Sequence, residues 1–304
     1  MKKALCTLLA VVMAMGTSSV ALAKDEATQG NINAIEIEMD SPPFEGTGDD
    51  SMLESATEED LELIRNAIPV DSYLGSQIQP YDIIGDDDRT LVANPHVKPY
   101  QNIVLLLIDY GDGKGYASVG TGAFIDSDIV LTAGHCLRRP EDGRDAVGID
   151  VLLAGTRSTA LKIQRITNQS QFHLSKNYTT YKDVANDYGF IKMNDKSMGT
   201  AYGWFGTSTT KANMEDIFEI AGFPCDKDPK YPLRMVTDSG QLSKIYTNVL
   251  EYSIDCFNGQ SGSPIFNANR YIVGVHTVGN RDAGYNRGPR FSKEMLAQFR
   301  SLQT

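Results

Sequence analysis

From about residue 83 onward the chain is a succession of short apolar runs broken by turn residues. Ile103 to Ile108, Gly122 to Ile125, Ile129 to Leu131, Val151 to Leu153, Gly189 to Met193, Ile217 to Ala221, Val249 to Tyr252, Pro264 to Phe266 and Tyr271 to Val275 are rich in Val, Ile, Phe and Tyr. Gly, Asp, Asn and Pro separate them. Runs this short suit strands rather than helices, and their branched and aromatic side chains fit a pleated surface. Many short strands with little helical periodicity predict an all-β domain, a sandwich or a pair of barrels. Two helical patterns stand apart. Near the C-terminus Ser292 is placed to cap a helix with Met295, Leu296, Phe299 and Leu302 on one face. Near the N-terminus Thr57 precedes Glu58-Glu59-Asp60, acids suited to a first helical turn, and Leu61, Leu63, Ile64 and Ile68 follow before Pro69.

The first 23 residues have the pattern of a secretory signal. Lys2 and Lys3 form a basic start, Ala4 to Met15 an apolar stretch, and Ala21-Leu22-Ala23 a small-residue cleavage site. The alternative, a membrane anchor, is poorly served by an apolar run this short, and no other stretch approaches the ~20 residues a spanning helix needs. Cys6 leaves with the signal. The protein is thus expected outside the cell, with no membrane attachment after cleavage.

Charge changes the picture of the next segment. The chain has a formal charge of −11, from 28 Lys+Arg against 39 Asp+Glu. Residues 24–82 hold fifteen of the acids and only two bases, so the remainder from Ile83 to Thr304 is charge-balanced. A neutral domain behind an acidic leader offers no basic surface for nucleic acid. The leader is too polar to fold alone. It is either a flexible spacer or a pro-segment that docks through the apolar stripe after Thr57, and secretion together with the chemistry below favours the pro-segment. The organisation read from the sequence is therefore signal peptide 1–23, pro-segment 24–82 and a single domain 83–304.

Three local patterns carry chemistry. Leu131-Thr132-Ala133-Gly134-His135-Cys136 runs an apolar strand into a small-residue turn that presents a histidine. An imidazole so placed can serve as a general base, although a lone histidine after a strand is more often structural. Asn186-Asp187-Tyr188-Gly189 puts an aspartate at the mouth of an apolar strand; Asp183 is its nearby rival, and either could be a simple turn cap. Gly259-Gln260-Ser261-Gly262-Ser263-Pro264 is a tight turn before an apolar strand. A nucleophilic serine there would have the Gly259 and Ser261 N–H groups available as an oxyanion hole. The order His, then Asp, then Ser is that of one known solution to the serine-protease triad, and the joint pattern is far more specific than its parts. His135, Asp187 and Ser261 are the expected catalytic residues.

With these motifs in view, the chain from Ile83 to the C-terminal helix resembles the bacterial glutamyl endopeptidases of the chymotrypsin-like serine proteases. The family's mature start is matched by Ile84-Gly85-Asp86-Asp87-Asp88-Arg89-Thr90, and its three catalytic turns by those above. Its late pocket-wall motif is matched by Val275-His276-Thr277, followed by Tyr285-Asn286-Arg287-Gly288. The resemblance implies two six-stranded antiparallel β-barrels with the triad between them, a C-terminal helix and removal of the pro-segment near Asp82–Ile84. It also implies cleavage after Glu, with Asp as second choice, and His276, Cys256, Thr277 and Gly279 as substrate-binding positions. A histidine on the pocket wall can donate to a Glu carboxylate and would repel Lys or Arg. Asp255 leaves a tryptic alternative open, because trypsin-like enzymes place their base-binding acid six residues before the serine.

Two departures from the family bear on the pocket. Cys256 stands where a Thr or Ser hydroxyl usually helps hold the Glu carboxylate, and Cys225 stands where Gly is usual. Two unusual cysteines in a secreted domain are expected to form a Cys225–Cys256 disulfide beside the pocket. Cys136 is expected as a buried thiol outside any bridge, since Gly120 occupies the place of its usual partner. The residue before the serine is Gln260, which cannot receive a new N-terminal amine as the aspartate of the digestive enzymes does. The four histidines show no metal-ligand spacing, and neither metal nor cofactor is expected, although a calcium at Asp86-Asp87-Asp88 stays open. The expected partners are protein or peptide substrates and the chain's own pro-segment, with the mature domain a monomer. A secreted binding protein on the same scaffold is the rival from another class; such proteins usually lose a triad member, and this chain keeps all three.

Overall fold

The computed structural model describes residues 40–66, 68–69, 83–154, 161–180, 183–226 and 234–303. The expected signal peptide, residues 24–39 of the leader and its last stretch, 70–82, lie outside the described residues.

Leader elements come first: helix α1 (Glu58–Asn66) and strand β1 (Ile68–Pro69), then β2 (Thr90–Leu91) of the domain itself. The first half of the domain contains β3 (Ile103–Asp109), β4 (Tyr116–Asp126), β5 (Ile129–Thr132), the short helix α2 (Gly134–Leu137), β6 (Gly148–Ala154), β7 (Leu161–Ile166), β8 (Phe172–Leu174) and β9 (Gly189–Lys192). After helix α3 (Ser197–Tyr202) the second half contains β10 (Gly206–Thr207), β11 (Ile217–Gly222), β12 (Val236–Ile245), β13 (Val249–Tyr252), β14 (Pro264–Asn267), β15 (Tyr271–Val275), β16 (Val278–Asn280) and β17 (Tyr285–Pro289). Helix α4 (Lys293–Leu302) ends the chain.

The strands form two curled sheets, one per half. In the first the order is β7-β6-β3-β4-β5-β9-β8, with β1 added in parallel to β4. In the second it is β10-β15-β14-β11-β12-β13-β17-β16, with β2 added to β12. This is the all-β, two-half architecture with a C-terminal helix that the resemblance implies, with eight and nine strands in the two sheets where six each were expected. The difference comes from short strands that the pattern of apolar runs does not reveal. In the first sheet the extra two are β1, donated by the leader, and the three-residue β8; in the second the extra three are β2, β10 and β16, of two or three residues each.

The apolar run Ile103–Ile108 shows why its strand has no polar face. Val104, Leu106 and Ile108 point into the first half's own core, packed with Phe124, Val130 and Ile149. Ile103, Leu105 and Leu107 point the other way, into a second cluster that also takes Phe223, Phe266, Phe291 and Phe299 from the second half. β3 is buried on both faces because one is barrel interior and the other is the seam between the halves. A third cluster, around Phe218, Leu250, Tyr252 and Val273, fills the second half.

Helix α4 closes the seam. Ser292 caps it as expected, accepting from Met295 N at 3.2 Å, and Met295, Leu296 and Phe299 are buried. Phe299 lies over Phe190 of β9 with ring centroids 6.3 Å apart and meets Phe291 edge-on at 6.4 Å. Gln298 donates to Leu174 O at 2.8 Å and Lys192 to Leu302 O at 2.7 Å, so the helix is tied to β8 and β9.

The described part of the leader packs on the domain. Thr57 and Asp60 cap α1 reciprocally, with Thr57 N–H donating to Asp60 Oδ2 at 2.5 Å. The helix ends at Asn66, ahead of the stop expected at Pro69, because Ile68 and Pro69 leave it to pair with Ser118 and Val119 of β4. Ile64 is fully buried in the seam cluster, whereas Leu63 faces solvent. Phe44 lies on Trp204 with ring centroids 4.3 Å apart. No helix among the described residues is long and apolar enough to cross a membrane.

Truncating Phe299 to Ala removes a buried ring that joins α4 to both β9 and Phe291, in the connection after β17. Denaturant unfolding of Phe299→Ala is expected to show a loss of about 3–5 kcal/mol, the usual cost of a large core cavity.

Candidate active site

Strand register brings the histidine and the aspartate together. β5 and β9 pair antiparallel with Thr132 opposite Gly189. The chain leaves β5 into α2, which carries His135, while Asp187 lies just before β9, so the two side chains emerge at the same end of the same strand pair. Asp187 Oδ2 lies 2.8 Å from His135 Nδ1, and Asp187 Oδ1 accepts the His135 backbone N–H at 2.8 Å. One carboxylate thus fixes both the ring and the backbone of the histidine, and both residues are fully buried. Gly134 permits the approach: a Cβ there would lie 3.1 Å from Asp187 Oδ1. Asp183, the rival acid, accepts from Asn186 Nδ2 at 2.7 Å and serves the turn.

The serine turn comes from the other half and is pressed against the histidine turn. Gly259 and Gly262 have φ of +94° and +91°, conformations that a side chain disfavours. At Gly262 space excludes one as well, since a Cβ would lie 1.9 Å from Thr121 O and 2.3 Å from Thr132 Oγ1. Ser261, between them, is fully buried. Its carbonyl accepts from Thr121 N–H at 2.8 Å and lies 3.7 Å from Cys136 Sγ, the residue next to His135. His135, Asp187 and Ser261 therefore converge where the halves meet.

Thr121 is a residue that motif reading passed over. In the middle of β4 it donates its N–H to Ser261 O and its hydroxyl to Gly259 O at 2.8 Å. The same hydroxyl accepts Phe223 N–H at 3.1 Å, and Thr121 O accepts from Thr132 Oγ1 at 2.7 Å. The one signal in the sequence is a hydroxyl residue flanked by two glycines inside an apolar strand.

The residues expected on the pocket wall continue from the serine turn. His276 O accepts Gly262 N–H at 2.9 Å and His276 N–H donates to Ser263 O at 2.8 Å. The His276 ring is fully buried, with Nδ1 2.8 Å from the Tyr252 hydroxyl. Burial holds the Tyr252 hydroxyl well above its ordinary pKa, so it keeps its proton. Tyr252 is the second residue that the motifs do not reveal. Thr277 N–H donates to Arg287 O at 3.2 Å, and Gly279 pairs with Asn286 across β16 and β17.

Asp255 has a different task from the one its spacing suggests. Its Oδ1 accepts Ile84 N–H at 2.7 Å and its Oδ2 accepts Asp88 N–H at 3.1 Å. It is 2% exposed, and burial raises its pKa, partly offset by those two N–H groups, with Asp238 and Asp87 adding to the rise. Both carboxylate oxygens are committed to the segment that follows Asp82.

The expected Cys225–Cys256 bridge beside the pocket is absent, which corrects that expectation: both residues are thiols. The reason lies in where they point. Cys256 is buried in the second half's own core beside Tyr252 and Phe218. Cys225 packs against the seam cluster, with Sγ 3.0 Å from where a Gly259 Cβ would stand. Cys136 is buried facing Gly120, whose Cβ would be 2.9 Å from its sulfur. Among the described residues no group of three or more His, Cys, Asp and Glu converges as metal ligands.

Replacing Thr121 by Val keeps the shape but deprives Gly259 O and Phe223 N–H of their partner. Thr121→Val is expected to cost about 1–3 kcal/mol for each buried group left unsatisfied. Its unfolding midpoint and its kcat on a peptide substrate should fall together.

Comparison with known proteins agrees with this geometry. The Trypsin family model matches residues 92–296. A glutamyl endopeptidase of Bacillus licheniformis is 31% identical over 71% of this chain and 68% of its own. A Bacillus subtilis protein named extracellular metalloprotease is 29% identical over 84% of this chain and 77% of its own. Among solved structures, a Glu endopeptidase in complex with MPD superposes with a TM-score of 0.62 at 27% identity, covering 72% of this chain and 98% of that one. The family match spans both halves and all three converging residues, so this chain belongs to the Trypsin family and is a serine endopeptidase related to the glutamyl endopeptidases.

Proposed function

We propose that the chain is a secreted zymogen whose mature domain cleaves peptide bonds after Glu, and less readily after Asp, through an acyl-enzyme. The observation that carries the chemistry is the Asp187 carboxylate, which holds His135 Nδ1 at 2.8 Å while the Ser261 turn abuts the same turn. With Nδ1–H committed to Asp187, the Nε2 atom of His135 is the one left to take the Ser261 proton. Ser261 Oγ attacks the scissile carbonyl carbon, and the negative oxygen so formed is stabilised by the N–H groups of Gly259 and Ser261. His135 returns the proton to the leaving amine, and water then repeats the sequence to release the acid.

Preference for Glu rests on His276 and on what Asp255 does. The protonated Tyr252 hydroxyl can donate to His276 Nδ1, which leaves the proton of the neutral ring on Nε2 as a donor for a carboxylate. Asp255, the acid a tryptic enzyme would need open, has both oxygens occupied by backbone N–H groups. Cys256 offers no hydroxyl, so His276 is the main reader of the carboxylate.

Maturation near Asp82–Ile84 would release a leader whose acids are matched to the domain's bases: Glu45 to Lys98 and Arg270, and Glu54 and Asp60 to Arg165. Trimming by the enzyme itself is consistent with an acid at residue 82.

Digestion of a mixed peptide library by the processed protein should yield C-termini of Glu above all. Cleavage after Lys or Arg would reject this specificity. In His276→Leu, kcat/KM for a Glu substrate should fall by roughly 10²-fold, the usual scale for losing a hydrogen bond to a charged group in a closed site, while the matched Gln substrate changes much less. Purified Ser261→Ala precursor should remain unprocessed in the absence of other proteases, and normal processing would show that another enzyme matures it.

A further inference from the structure

The residue before the nucleophile, Gln260, is uncharged, yet a buried cation stands next to it. Arg89 has no solvent-exposed side-chain surface. Its Nε donates to Asp87 Oδ1 at 3.0 Å and its Nη2 to Asp87 Oδ2 at 3.0 Å. Nη1 and Nη2 grip Asp226 at 3.1 and 2.5 Å. Nη1 also lies 3.5 Å from Gln260 Oε1, and the guanidinium is 5.2 Å from the Phe257 ring centroid. These two carboxylates hold the guanidinium strongly protonated despite its burial.

What Arg89 touches is the loop that shapes the serine turn. Gln260 Oε1 accepts Phe257 N–H at 2.9 Å, and Gln260 N–H donates back to Phe257 O at 2.9 Å, closing residues 257–260 into a small ring. Asp226 follows Cys225, whose N–H donates to Asn258 O at 2.9 Å. Arg89 therefore holds the turn from two directions, directly at Phe257 and Gln260 and indirectly through Asp226. It arrives on the segment that begins the mature domain, which Asp255 pins at Ile84 and Asp88.

We infer that Arg89 is a positioning residue for the oxyanion turn: its guanidinium clamps Phe257–Gln260 against Asp226 so that the Gly259 and Ser261 N–H groups point at the reacting carbonyl. This rests on the nucleophile and oxyanion assignments above. A planar fork that bonds two carboxylates while stacking on a ring is a task a lysine ammonium cannot reproduce. A turn released from it would still bind the substrate side chain but would stabilise the tetrahedral state poorly.

The test compares ligands that do and do not form a tetrahedral adduct. In processed Arg89→Met, kcat should fall about 100-fold, on the scale of losing an oxyanion donor. Affinity for a Glu-ended peptide boronate should fall by a similar factor. KM and affinity for the matching product peptide, which ends in free Glu, should change less than about threefold. Arg89→Lys, which keeps the charge, should show the same split to a smaller extent and decides the matter if Arg89→Met does not fold. Equal loss of boronate and product affinity, or no loss of either, would overturn the positioning role. Labelling of the parent protein with a fluorophosphonate separates the two readings. If the label misses Ser261, the underlying assignment is wrong and the clamp falls with it; if it lands on Ser261 and the variants show no split, only the clamp is rejected.

Discussion

The catalytic geometry depends on a seam in which Thr121, from the first half, is hydrogen-bonded through backbone and side chain to the serine turn of the second. Ser261 and His135 belong to different halves, one on a turn and one on α2, and nothing local to either could hold them in register. Thr121 does so because Thr132, at the end of the strand leading to His135, donates to its carbonyl while its own N–H and hydroxyl reach Ser261 O and Gly259 O. Gly262 makes this possible by having no Cβ where the two turns touch. The seam cluster behind them, from Leu105 and Phe190 to Phe266 and Phe299, resists relative sliding of the halves because close-packed side chains have no room to shift.

The acidic leader acquires a physical meaning from the same structure. Its negative charge meets bases distributed over the domain: Lys98, Arg165, Lys211 and Arg270 each pair with a leader acid. Apolar contacts at Phe44 and Ile64 add a short-range term to a long-range electrostatic one. The segment also reaches the edge of β4 at Ser118 and Val119, two to three residues from Thr121. A polar chain that cannot build its own core is thus ordered by a surface of complementary charge. The exposed pairs among these are individually weak, so the packing of Phe44 and Ile64 matters beside them.

Asp255 and Arg89 show how residues 84–89 are coupled to the serine turn. The acid takes the backbone of Ile84 and Asp88, and the base takes Asp226 and Gln260. Asp255 reads as a specificity residue when only its distance from Ser261 is known. Its partners come from about 170 residues earlier in the chain, and their identity is invisible to local spacing.

Much of the fold was legible because apolar runs such as Ile103–Ile108 and Tyr271–Val275 have no other stable use than burial in a sheet, and Ser292 and Thr57 announce their helices through capping chemistry. β12 was not legible: Asp238, Ser239 and Gly240 are poor strand formers, and the strand exists because β11 and β13 flank it. His135, Asp187 and Ser261 could be proposed from the sequence because a nucleophile turn, a base turn and an orienting acid each impose local residue types. Thr121, Tyr252, Arg89 and the separation of Cys225 from Cys256 belong to tertiary structure alone. Each is defined by a contact between distant segments, where the direction a side chain points matters and the sequence interval does not. The chain by itself determined the chemistry it carries; the packing of two sheets decided which groups hold that chemistry in place, because hydrogen bonds and burial act over a few ångströms of space.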